Sequence, residues 1–147
     1  MSLRMIATLA MVALALVTVA VPGVQADPAP LLQTTQSWDG GTFDYPEGQP
    51  EVTSVILKIE AGQQAPFHCH PVPTLGYVLK GTVQVETANG QTTVIQQGES
   101  VVEVMRTLHR GKALGGPVEI LVFYAGASGI PTTLLPDDAA AAELCEL

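Results

Sequence analysis

Basic side chains are scarce in this chain of 147 residues, with six Lys and Arg against 14 Asp and Glu and a formal net charge of −8. A surface of that sign repels nucleic acid and anionic lipid, so the expected partner is a small molecule or a protein and not a polyanion. Cysteine is nearly absent. The two residues present, Cys69 and Cys145, cannot build the multi-bridge framework of a disulfide-rich domain. A long apolar run occurs once, over Met5–Val21, and no later stretch is long enough to cross a bilayer core of about 30 Å. Internal repeats are missing, and so is any amphipathic helical periodicity in the body of the chain, which leaves β-structure as the source of a core.

The apolar run belongs to a targeting segment. Arg4 provides the positive start, Val24-Gln25-Ala26 is a small-residue cleavage site, and Asp27-Pro28 follows it. The alternative, a membrane anchor, is disfavoured because the run lasts 17 residues and ends at Pro22-Gly23. The residue directly after the site is Asp27 and not Cys, which argues against a lipid anchor. Cleavage after Ala26 predicts a secreted or periplasmic protein of 121 residues with five basic and 14 acidic side chains, net −9 and free of the membrane. That is the size of one ordinary domain. An oxidising compartment would let a disulfide persist. The sequence nevertheless favours two separate thiols, Cys69 buried and Cys145 in the tail, over a bridge with demanding geometry.

After an extended Pro-rich arm over Asp27–Leu32, short β-branched runs alternate with turn residues. Strands are predicted over Glu51–Glu60, Thr74–Lys80, Thr82–Thr87, Gln91–Gln96, Ser100–Met105 and Val118–Tyr124, the last nearly continuous in apolar residues and expected to be buried on both faces. Asn89-Gly90 carries the chemistry of a type I′ hairpin turn. The one predicted helix is Asp137–Glu146, with Pro136 at its entry, two Asp at the positive end and four Ala after them. Turn residues every eight to ten positions argue for an all-β sandwich or barrel.

Only three histidines occur, and two of them form Pro66-Phe67-His68-Cys69-His70-Pro71. On extended backbone, His68 and His70 project to one face while Cys69 points to the other. Imidazole is the commonest protein metal ligand, so this pair and the distant His109 form a candidate three-nitrogen site.

The spacing around them is specific. Gly62, five residues, His68-x-His70, three residues, Thr74, six residues and Gly81 make one block; Gly98, ten residues and His109 make a second. This resembles the two motifs of the cupin superfamily. There the first block reads Gly, five residues, His-x-His, three or four residues, Glu, six residues, Gly, and the second leads from a Gly to a His with an Asn four residues on. Gly76-Tyr77-Val78-Leu79-Lys80-Gly81 is also similar to the family's Tyr-Val-Leu-x-Gly strand and turn, and the likeness extends over about Val52 to Tyr124. It implies a small double-stranded β-helix, a jelly-roll barrel, over 51–135. Before the barrel lie a signal peptide at 1–26 and an arm and first strand at 27–50; a short C-terminal helix or tail at 136–147 closes the chain.

The resemblance also implies one divalent ion (Zn, Fe, Mn, Ni or Cu) held by His68, His70 and His109. Thr74 stands where the family's carboxylate ligand is expected, Ala113 where the Asn sits, Val104 for a Pro and Arg106 for a Gly. A neutral hydroxyl is a poor ligand, so the site becomes a three-imidazole centre with one more open position, as catalysis requires. Glu103, the only charge in Val101-Val102-Glu103-Val104-Met105, is a candidate catalytic acid or base if its side chain faces inward. Phe67 and Tyr77 read as core more readily than as pocket lining. Arg106 and Arg110 read more readily as surface residues than as contacts to an anionic substrate. The implied function is oxygenation, isomerisation or hydrolysis of a small polar molecule. The rivals are a non-catalytic binding or sensing cupin and a degenerate cupin without metal. Self-association as a homodimer stays open.

Overall fold

The computed structural model describes residues 28–146, so the predicted signal peptide lies outside the described residues. Seven strands follow in order: β1 (Pro50–Ile59), β2 (Thr74–Lys80), β3 (Thr82–Thr87), β4 (Thr92–Gln96), β5 (Ser100–Val102), β6 (His109–Ala113) and β7 (Val118–Ala127); a short helix α1 (Ala141–Leu144) comes last. Two antiparallel sheets form, one ordered β1-β7-β2-β5 and the other β4-β3-β6. Their inner faces meet in a core of Ile59, Val78, Val83, Val85, Ile95, Val101 and Val118. Branched apolar side chains recur with period two on β3, whose Val83 and Val85 are buried while Thr82, Gln84 and Glu86 are not. This is the all-β jelly roll expected from the sequence.

Gly81 makes the corner between β2 and β3. Its φ is +82°, and a Cβ there would lie 2.5 Å from the Pro117 carbonyl oxygen, so no other residue fits without moving the backbone.

Several sequence expectations are corrected. The β3–β4 connection is not a type I′ turn, because Arg106 is the one described non-glycine residue with positive φ and Asn89 therefore keeps negative φ. The loop spans Ala88-Asn89-Gly90 between a Thr87–Gln91 pair, with Gly90 at φ +91°. β4 begins at Thr92 in consequence. β7 runs on to Ala127 and is not buried on both faces: Val118 and Val122 point inward, while Phe123 is exposed. The segment expected as one strand over Ser100–Met105 stops at Val102, since the chain turns at Arg106, whose φ is +63°. α1 is far shorter than predicted; Asp138 accepts from the Leu135 N–H in a turn ahead of it, and beyond it the backbone is drawn straight to pair Glu146 with Thr107. β6 carries no sequence signal, because His109-Arg110-Gly111-Lys112-Ala113 has no apolar alternation and takes its form from pairing with β3.

Cys69 and Cys145 are joined in a disulfide, against the expectation of two free thiols. Their Cα atoms lie 6.1 Å apart, within bridging range. Cys69 is fully buried with Leu134 and Ala141, and its backbone exchanges two hydrogen bonds with Leu134. The C-terminal segment is thereby laid along the back of the His68–His70 stretch. Among the described residues no helix is long and apolar enough to cross a membrane.

Candidate metal centre

His68 and His109 sit opposite each other on neighbouring extended segments and exchange both backbone bonds, His68 N–H to the His109 carbonyl at 3.0 Å and the reverse at 2.9 Å. A directly opposed pair presents its side chains on one face. His70, two residues after His68, adds a third imidazole to that face. Ring centroids stand 4.5 Å apart for His68–His109 and 4.9 Å for each pairing with His70. One ligand atom from each residue lies within 4.8 Å of the other two.

Every Nδ1 is already engaged. That of His68 faces the Pro66 carbonyl, that of His70 the Thr132 carbonyl and that of His109 the Thr107 carbonyl, each at 2.9 Å. A carbonyl only accepts, so each Nδ1 must carry the hydrogen and donate it. That fixes the tautomer and leaves Nε2 with a free lone pair, the arrangement usual for metal-ligating histidine. Burial lowers all three histidine pKa values, that of His70 farthest, with the neighbouring imidazoles adding to the effect at His68 and His70. The rings are therefore held neutral at pH 7, the form that binds an ion. The donor set fits a divalent metal.

Glu103 faces inward. Its backbone N–H donates to the Thr74 carbonyl at 2.9 Å, and its carboxylate Oε2 lies 3.7 Å from Nε2 of His109, with 16% of the side chain exposed. Burial raises its pKa, while the indole N–H of Trp38, donating to Oε2 at 3.3 Å, and the nearby His68 act in the opposite sense. Thr74 supplies no charge: it is buried, and its hydroxyl donates to the Val72 carbonyl at 3.1 Å. The position that holds the family's carboxylate is thus silent, and an acid from the adjoining segment stands beside it.

These groups line a cavity of about 280 Å³ walled by Leu57, Ile59, Val83, Val85, Ile120 and Val122, with Tyr124, Thr133 and Leu135 completing it. The Tyr124 ring stacks edge-on at 5.4 Å from His70. Phe67 and Tyr77 are not in the lining. Arg110 pairs with Glu86 and lies 4.2 Å over the Phe67 ring, and Arg106 is exposed. Sequence patterning does not single out Trp38, Tyr124 or Thr132. Trp38 carries one usable mark, being the only tryptophan of the chain, whereas the other two reach the site through contacts distant in sequence.

A jelly roll with three convergent imidazoles and an inward acid is a β-barrel of the cupin type with a candidate metal site. The chain is a member of the cupin superfamily, and the cupin domain profile matches residues 55–124. No curated protein sequence matches it. Among solved structures it is similar to the DMSP lyase DddQ of Ruegeria pomeroyi, at 21% identity and TM-score 0.52 over 66% of this chain and 47% of that one. It is similar to the oxalate decarboxylase of Lactobacillus farciminis, at 21% identity and TM-score 0.51 over 58% of this chain and 26% of the other. An uncharacterised double-stranded β-helix protein of Klebsiella pneumoniae matches at 18% identity and TM-score 0.51, over 65% of this chain and 87% of that one. The chain spans under half the length of the lyase and the decarboxylase. Likeness at this level carries the fold alone.

Proposed function

We propose that this protein is an exported cupin that holds one divalent ion through Nε2 of His68, His70 and His109 and acts there on a small molecule by oxygenation, isomerisation or hydrolysis. The observation that carries this reading is the common fate of the three Nδ1 atoms: each donates to a backbone carbonyl at 2.9 Å, so three lone pairs are presented together. A bound divalent ion supplies Lewis acidity and acidifies a coordinated water.

The residues around it have separable tasks. His68, His70 and His109 stay neutral through burial, so they bring no charge of their own. Glu103 accepts a proton at Oε2 on the His109 side, and its raised pKa brings it nearer to neutral pH, where a general base works best. Trp38 fixes the orientation of that carboxylate through its indole N–H. The apolar walls restrict water around the reacting group.

Export is part of the proposal. It is supported by the Met5–Val21 run with its Val24-Gln25-Ala26 site and is compatible with the Cys69–Cys145 bridge, since disulfides persist outside the cytosol. N-terminal sequencing of the exported protein should begin Asp-Pro-Ala-Pro; an intact Met1 in membrane fractions would reverse this part. Metal analysis of protein from its native compartment tests the centre. About one equivalent of ion is expected, and it should be lost when all three histidines are changed to Ala. Retention of the ion by that triple variant would sink the proposal.

A further inference from the structure

We propose that the molecule taken up at this centre carries a single anionic donor group on an apolar body of a few carbons, and no second charge. This rests on the metal reading above and specifies the ligand of the same site.

The lining decides it. Among the described residues that wall the cavity there is no Lys and no Arg. The two arginines nearest His109 in sequence are unavailable to it: Arg110 is held by Glu86 and stacked on Phe67, and Arg106 is exposed with its backbone pinned between the His70 carbonyl and the Glu146 N–H, each at 2.8 Å. A charged group placed deep in the cavity but away from the ion would lose water without meeting a cation, which is unfavourable. Glu103, the one acidic side chain of the lining, offers no cation either.

What remains is suited to hydrocarbon. Leu57, Ile59, Val83, Val85, Ile120 and Val122 form the walls, and the other polar groups, the hydroxyls of Thr74, Tyr124 and Thr133, are neutral. The volume of about 280 Å³ lies at the lower edge of small-molecule pockets, about 300–1,000 Å³, so the body must be short. Leu57 and Leu135, each 44% exposed, place apolar surface at the rim as well.

The test uses the full chain loaded with Co(II), whose visible spectrum reports ligand exchange at the ion without any turnover. Straight-chain monocarboxylates from acetate to hexanoate are titrated beside succinate, glutarate and adipate, whose second carboxylate is set too far along the chain to bind the same ion compactly. Affinity should rise about three- to four-fold per methylene along the monocarboxylate series. Hexanoate should bind at least about ten-fold more tightly than adipate, because the distal carboxylate finds no cation. A flat series, or adipate equal to or tighter than hexanoate, with the Co(II) spectrum intact, overturns this inference alone. Failure to bind about one equivalent of Co(II) overturns the metal reading and this inference with it.

Discussion

The carboxylate of Glu103 stands 3.7 Å from Nε2 of His109 and accepts a hydrogen bond from the indole of Trp38, while its own backbone N–H is tied to the carbonyl of Thr74. A carboxylate absent at residue 74 is therefore met by one on the neighbouring segment, aimed at the same cavity. The centre has a different shape from one in which the acid follows the His-x-His pair on a single strand.

Replacing Glu103 by Gln keeps the side-chain volume and the acceptor for Trp38 but removes the charge. The variant should remain folded, with metal affinity lowered by about ten-fold or more, the scale seen for groups that support a metal centre. Competition with a chelating dye measures the affinity, and circular dichroism checks the fold. Unchanged affinity together with unchanged turnover would leave a plain three-histidine centre.

Trp38 is the only tryptophan of the chain, and its indole is bonded to Glu103. Its fluorescence should therefore change on addition of a divalent ion and saturate at one equivalent. Glu103→Gln should weaken the response, whereas a metal-independent emission would place Trp38 outside the influence of the centre. Trp38→Phe keeps the packing against the core and removes the donor, so it should lower metal affinity less than Glu103→Gln does.

Stability should depend on pH through the histidines. Burial lowers their pKa values in the folded chain, so between those values and about 6.5 the unfolded chain binds more protons than the folded one. The contribution is fully present above about pH 6.5 and is lost as the pH falls towards the folded values. Glu103 acts in the opposite sense: its raised pKa means that the metal-free fold loses stability as the pH climbs from the ordinary carboxyl range through the folded value. Thermal melts of metal-free protein between pH 4 and pH 8 report the net of the two, and Glu103→Gln should steepen the gain in stability with rising pH, because it removes the opposing limb and the support that Glu103 gives to a charged His68.

Reduction of the disulfide, or Cys145→Ser, should destabilise the protein by about 2–4 kcal/mol, because the bridge closes a separation of 76 residues. It should also loosen the metal centre, since the segment it tethers carries Thr132, the carbonyl partner of His70. Denaturant melts and metal competition with and without a dithiol reductant measure the two effects. Full metal affinity after reduction would show that the tail plays no part in holding His70.

The fold class and the grouping of His68, His70 and His109 were legible in the chain itself. Period-two alternation needs only the local pleat, so Thr74–Lys80 and Thr82–Thr87 are read with their true bounds. His68 and His70 share a face by that same geometry, and the motif spacing brings in His109. Tertiary structure decided everything that depends on residues distant in sequence. β6 has no alternation of its own and exists because β3 supplies its hydrogen bonds. Alternation left both faces of Val101–Met105 apolar, and only packing of the two sheets turns Glu103 towards His109. Trp38 reaches Glu103 across 65 residues and Thr132 reaches His70 across 62, distances at which no local pattern carries information. The Cys69–Cys145 bridge belongs to the same class, because two thiols become a disulfide only where the fold brings their backbones within bonding reach.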